Sequence, residues 1–227
     1  MKILTAIARY NEDLEWVKEL NTDIVIYNKG EDFNFDMPRT DVENIGRESE
    51  TFCHFILEWY DALKDYDACA FLQGDPSGHF ANPVETINNY NSNEIVRLGT
   101  VIAFYEINST KILNNVNNFT LAKILGKDVK TNYKLNENHA SWLDIDTESE
   151  YLTWIIELCS LLRIDIPKKV GWTPGAQFIV PVKYILNKDI KWWEDLYLLH
   201  YVYKSDITRS LPHIVERVWP IIWEHST

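Results

Sequence analysis

Cysteine is scarce in this 227-residue chain: Cys53, Cys69 and Cys159 are the three, and none stands in a CxxC or CxH spacing. That argues against a disulfide scaffold or a structural zinc centre and predicts reduced core thiols. Long apolar runs are missing too. The longest, such as Ala68-Cys-Ala-Phe-Leu72, fall far short of the roughly 18 residues a membrane span needs. Met1-Lys-Ile-Leu enters a strand pattern without a signal-peptide layout, so the expected setting is cytoplasmic with no membrane partner. Basic charge is the third shortage. With 22 Lys and Arg against 34 Asp and Glu, the net charge is -12, which disfavours the broad phosphate-neutralising surface of a nucleic-acid binder. It leaves room for a local pocket in which a divalent cation, a helix N-terminus and one or two basic side chains hold a nucleotide.

What the chain does have is a core. Hydrophobic residues make up 46% and include 9 Trp and 12 Tyr, there is no repeat or low-complexity tract, and the length fits a single globular domain. Lys2-Ile-Leu-Thr-Ala-Ile-Ala8 reads as a buried first strand, Asp13–Leu20 as a short amphipathic helix after an Asn11 cap, and Asp23-Ile-Val-Ile-Tyr27 as a second strand. Residues 31–43 are polar and irregular. Apolar positions 52, 55, 56, 59, 60 and 63 then carry the 3.6-residue period of a long helix starting near Arg47, and a strand over 68–72 follows. Asn82-Pro83 predicts a helix with proline in its first turn. The segment 94–107 has an ambiguous period, and 108–140, rich in Asn and Lys, reads as a variable, partly helical insertion. Helical periodicity returns over 149–163, 190–203 and 208–224. Between them, Gly171–Pro181 combines a turn with a β-rich run that Pro181 must end or place at an edge. The pattern predicts an α/β or α+β fold around a mixed sheet.

The segment Asp67-Ala-Cys-Ala-Phe-Leu-Gln-Gly-Asp-Pro-Ser-Gly-His79 draws the eye to a site, because a buried strand stops at a turn that presents Gln73, Asp75 and His79. Ligands of open α/β sheets bind outside the carboxyl ends of strands. Asp75-Pro-Ser-Gly is equally well an ordinary β-turn. Elsewhere, His54 reads as a core histidine on the apolar helix face, and Trp192-Trp193 as core or interface.

Six segments in order resemble an uncharacterised domain-of-unknown-function family related to GT-A glycosyltransferases: Ile7-Ala-Arg-Tyr-Asn-Glu-Asp-Leu-Glu-Trp16, Tyr27-Asn-Lys-Gly30, Asn44-Ile-Gly-Arg-Glu-Ser49, Phe71-Leu-Gln-Gly-Asp-Pro76 with His79, Trp172-Thr-Pro-Gly-Ala-Gln-Phe-Ile-Val180 and His213-Ile-Val-Glu-Arg-Val-Trp219. The resemblance implies a Rossmann-like, GT-A-like mixed sheet flanked by helices. It also implies transfer of a sugar from a nucleotide-sugar donor to a hydroxyl acceptor, with a divalent cation (Mn or Mg) at a D-x-D motif. Here the matching strand ends in Gln73-Gly-Asp75, one carboxylate short. The literal D-x-D, Asp144-Ile-Asp146, precedes a helix and reads as its polar start.

Under that resemblance Arg9, Lys29 and Arg47 meet the departing diphosphate, with Ala8, Tyr10 and Asn28 completing a nucleotide-binding set. Asp75 and His79 are the metal-ligand candidates, and His79 alternatively donates a hydrogen bond. Gln73, His79, Trp172 and Gln177 would contact substrate, the tryptophan by stacking on sugar or base. Glu216 is either a general base acting with Asp75 or half of a buried pair with Arg47 or Arg9. Glu216 and Arg217 are adjacent on one helix and are not both expected to face the core. Two other functions fit the same residues: nucleotide or carbohydrate binding without turnover, and glycosylation of modified nucleic-acid bases, which the charge disfavours.

Overall fold

The computed structural model describes residues 1–99, 103–108, 134–136, 155, 158–165, 169–173, 175–202 and 211–224. Four of the expected elements lead the chain. β1 (Ile3–Arg9), β2 (Asp23–Asn28) and β4 (Ala68–Gln73) are the predicted strands, each one residue longer at its carboxyl end, and α1 (Arg47–Trp59) is the long amphipathic helix. The stretch expected to be a helix after Asn11 is a 3-10 turn, Glu15–Glu19, with no side-chain cap. A polar edge strand not foreseen in 31–43, β3 (Arg39–Asp41), pairs in parallel with β2. It needs only main-chain hydrogen bonds, which carry no hydrophobic signature.

α2 (Pro83–Asn88) has its proline in the first turn, as expected. Within the ambiguous segment, the described residues form two strands, β5 (Val96–Arg97) and β6 (Ala103–Asn108). Of 108–140, only β7 (Lys134–Asn136) is described beyond Asn108, and it is a strand on β6; the rest of that expected insertion and Asp144–Asp146 lie outside the described residues. The described residues 155 and 158–161 are helical, in line with the period over 149–163. β8 (Lys169–Trp172) joins β6, and β9 (Phe178–Pro181) ends at its proline. α3 (Val182–Leu186), α4 (Ile190–Val202) and α5 (Leu211–Glu224) complete the chain.

The main sheet has the order β3-β2-β1-β4-β9-β5, parallel from β3 through β4 and antiparallel at β9. Alternate residues of its strands enter two separate cores. Leu4, Ala6, Cys69, Phe71 and Phe178 pack with α1, α4 and α5, whereas Ile3, Ile7, Ala70, Leu72 and Ile179 pack with the 15–19 turn and α2. Burial on both faces is why β1 and β4 read as unbroken apolar runs. The fold is thus a mixed α/β sheet of Rossmann-like design. All three cysteines are free and buried.

One sequence expectation fails here. Glu216 and Arg217 are both buried, at 6% and 1% exposure. From 211 to 223, α5 is buried everywhere except His213, which is half-buried, so no face of the helix was left for a solvated charge. The arginine Nη1 instead donates to Glu216 Oε2 (3.3 Å) and to His213 O (2.7 Å).

Candidate functional site

Strand order reverses between β1 and β4: the chain runs outward through β2 and β3, then returns to lay β4 on the other side of β1. In open α/β sheets the crevice outside the strand ends at such a reversal is the default ligand site. A cleft of about 410 Å³ opens there. The end of β1 contributes Ala8, Arg9 and Tyr10, the end of β4 Gln73 and Asp75, the residue after β2 Lys29, and the start of α1 Asn44, Arg47 and Glu48. Seven of the residues singled out in the sequence therefore share one wall system. Glu12 and Glu48 also line it and carried no sequence signal that selected them.

The cations in this cleft are not equivalent. Arg9 is buried, stacked 3.7 Å from the centroid of Phe33. Its Nε donates to Glu12 O (3.0 Å), and its Nη1 donates to Asn28 Oδ1 (2.6 Å), Glu31 O (3.1 Å) and Tyr10 O (3.2 Å). Arg9 and Asn28 are register partners across β1 and β2, which sets them side by side. Asn28 Nδ2 donates onward to Asp41 Oδ1 (2.9 Å). The pair ties three strand ends together, and Asn28 is absent from the cleft lining. Lys29 Nζ is paired with the Glu50 carboxylate, and the two side chains are 3% and 2% exposed. Burial lowers the Lys29 pKa against the attraction of Glu50. For Glu50, burial is outweighed by His54 and Lys29, and its carboxyl is held below the usual range.

Arg47 differs from both. It is exposed, and among the described residues its guanidinium has no hydrogen-bond or ion-pair partner. It begins α1 with φ +52°, a left-handed conformation that costs a non-glycine residue roughly 1–2 kcal/mol. Strain of this kind concentrates at functional sites. Glu48, half-buried one residue on, has its pKa raised by burial and then by the nearby Glu216 charge, against weaker opposition from its own backbone N–H and Arg47. Glu216 does not pair with Arg47 or Arg9. It accepts Gly175 N–H (2.7 Å), is bonded by Arg217, and has His213 Nδ1 at 3.6 Å. It does not line the cleft, and acts on it by its charge on Glu48.

On the opposite wall, Asp75 is exposed and its Oδ1 accepts the Ser77 hydroxyl (2.5 Å), so the turn expected from Asp-Pro-Ser-Gly is present at a strand end that also faces the cleft. Glu12 lies over Gly74: a Cβ there would come within 2.4 Å of Glu12 Oε2. Glycine at 74 leaves room there for the Glu12 side chain, which lines the same cleft as Asp75. His79 is exposed, packs over Gly175 and is not in the cleft lining. Gln177 is fully buried. It accepts Gln73 N–H at 3.2 Å and donates to Pro76 O at 3.3 Å, so it braces the β4 turn. Trp172 is the last residue of β8, and its side chain lies outside the described residues. Among the described residues no group of three His, Cys, Asp or Glu side chains is placed to hold a metal. Asp75 and Glu12 supply at most two carboxylates, a set suited to Mg²⁺ carried mainly by phosphate oxygens and water.

Sheet order and cleft position define an α/β protein with an open cleft at the strand reversal. Within that class the chain belongs to the family described as "Protein of unknown function (DUF3431)", whose profile matches residues 4–227. No curated protein and no solved structure matches the sequence. The family match carries no link to GT-A glycosyltransferases. Among the described residues no helix is long and apolar enough to cross a membrane.

Proposed function

We propose that the β1/β4 cleft binds a nucleotide sugar and transfers the sugar to a hydroxyl acceptor. The observation that carries this reading is a switch-point cleft with a cation, Arg47, that has no partner among the described residues, at the start of a 13-residue helix, facing an exposed Tyr10 and the Gln73–Asp75 strand end. Transfer develops negative charge on the departing diphosphate. Arg47 and the first N–H groups of α1 would meet that charge. Tyr10 offers a flat wall for a base or sugar ring. Burial and the nearby Glu216 charge raise the Glu48 pKa, which weakens the case for a full negative charge beside the phosphates. A divalent cation held by Asp75, with Glu12 beside it, would add neutralising charge on the diphosphate. The relation to GT-A enzymes rests on the resemblance of the six motifs.

A thermal-shift screen of nucleoside diphosphates with and without Mn²⁺, followed by donor hydrolysis assays, tests the reading, since a native-state ligand raises apparent stability by mass action. Stabilisation together with turnover supports it. Binding without turnover supports a non-catalytic nucleotide binder, a reading favoured by one observation: Arg9 and Lys29 are already engaged by protein oxygens. No shift with any nucleotide refutes both. A nucleic-acid acceptor stays disfavoured by the net charge of -12.

A further inference from the structure

The turn after β4 borders two clefts. Asp75 faces the one described above; Pro76 and Ser77 line a second, also of about 410 Å³, against Trp16 and the start of α2. We propose that this second cleft is the acceptor subsite and that it takes a neutral carbohydrate; this rests on the transferase reading of the first cleft. Its floor is apolar, with Pro76 and Pro83 buried and Val84 and the Trp16 ring half-buried. Its rim carries hydrogen-bonding groups: the exposed carboxylates of Glu19 and Glu85 and the Ser77 hydroxyl.

An apolar floor with an aromatic ring and a rim of oxygen acceptors complements a pyranose, which has C–H faces and a hydroxyl edge. Two carboxylates, with no cation among the described lining residues, disfavour phosphorylated acceptors and nucleic acid, because like charges at short range oppose association. The Ser77 hydroxyl, from the wall of the second cleft, already reaches Asp75 Oδ1 in the first. A sugar hydroxyl entering beside Ser77 would arrive at the same carboxylate. Trp16 is held for this role by its own bond, Nε1 to Gly74 O (2.9 Å), which fixes the ring against the turn shared by the two clefts.

The test is saturation-transfer NMR of the full chain, without donor, against glucose, galactose, N-acetylglucosamine and their disaccharides, with glucose 6-phosphate and spermidine as charged probes. Neutral sugars should give signal, and Val84→Trp, which fills the cleft, should abolish it. Nucleoside diphosphate thermal shifts should be the same in both proteins, which also reports that the variant is folded. Should Val84→Trp fail to fold, Glu85→Lys, at an exposed site, should weaken the sugar signal and admit glucose 6-phosphate. No sugar signal, an unchanged signal in both variants, or binding of spermidine or glucose 6-phosphate alone to the wild type overturns the proposal. Because donor is absent, the two readings fail separately: sugar binding without any donor turnover sinks the transferase reading and leaves a carbohydrate site. Turnover without sugar binding does the reverse.

Discussion

Removing the Lys29 ammonium should cost stability far more than ligand affinity. Its partner Glu50 lies in the first turn of α1, and both side chains are almost fully enclosed. In Lys29→Met the carboxylate would stay buried without its ammonium partner. His54 Nδ1 is 3.8 Å away, and His200 is pushed down to about 4 by burial, so it is neutral at pH 7 and cannot substitute. Breaking such a pair from one side typically costs about 3–5 kcal/mol. For a chain of this length about 2–4 °C of Tm accompany each kcal/mol, which gives a fall of about 6–20 °C. The loss should be greatest near pH 7–8 and shrink in acid, where the orphaned Glu50 takes up a proton and ceases to be a buried charge. Replacing both partners, Lys29→Met with Glu50→Leu, should recover most of the loss, because a neutral pair leaves nothing uncompensated. Thermal and urea unfolding followed by circular dichroism across pH, run on the wild type, both single variants and the double variant, read all of this. If Lys29→Met melts within a degree of wild type while losing nucleoside diphosphate affinity, Lys29 is a ligand-facing cation and the structural assignment is wrong.

Arg47→Gly should hold or slightly raise stability, since glycine accepts φ +52° at no steric cost, yet weaken nucleoside diphosphate binding by about 10- to 100-fold, the worth of one charge-assisted contact. Calorimetry showing wild-type affinity would remove Arg47 from the site. Glu48→Gln should stabilise the protein at neutral pH. A carboxyl whose folded pKa is raised binds more protons folded than unfolded, so its contribution falls as pH rises from the ordinary value of 4.5 through the folded one. The variant's advantage should vanish below pH 4.5 and grow above it by about 1.4 kcal/mol per unit of upward shift; a pH-independent difference in urea midpoints would contradict it. Asp75→Asn keeps the turn and removes the charge, so donor turnover should collapse in a folded protein. Loss that excess Mn²⁺ repairs marks a cation ligand, loss it does not repair marks a proton acceptor, and near-wild-type rates leave Asp75 only a turn residue.

The strands and helices that frame the cleft were legible because burial on two faces leaves a strong local imprint. Ile3–Ala8 and Ala68–Leu72 are continuous apolar runs, the 3.6-residue period marks α1, and Pro83 marks the start of α2. Turn chemistry at Asp75 gave the end of β4. One missed group had a readable signal: Glu50 stands on the apolar face of α1, three residues before Cys53, and a carboxylate there demands a cation. Glu12 had none, since its place depends on Gly74 arriving from 62 positions away.

The sequence thus determined which segments are buried and where the chain turns, for these follow from side-chain period and backbone preference within a few residues. Which cation is engaged by protein groups and which stays open to the cleft was decided only by tertiary structure. Arg9, Lys29 and Arg47 look alike along the chain. Parallel register put Asn28 beside Arg9, the docking of α1 put Glu50 against Lys29, and the same helix start left Arg47 at the cleft without a partner among the described residues. A charge becomes structural or functional according to what lies within a few ångströms of it, and those neighbours come from distant parts of the chain.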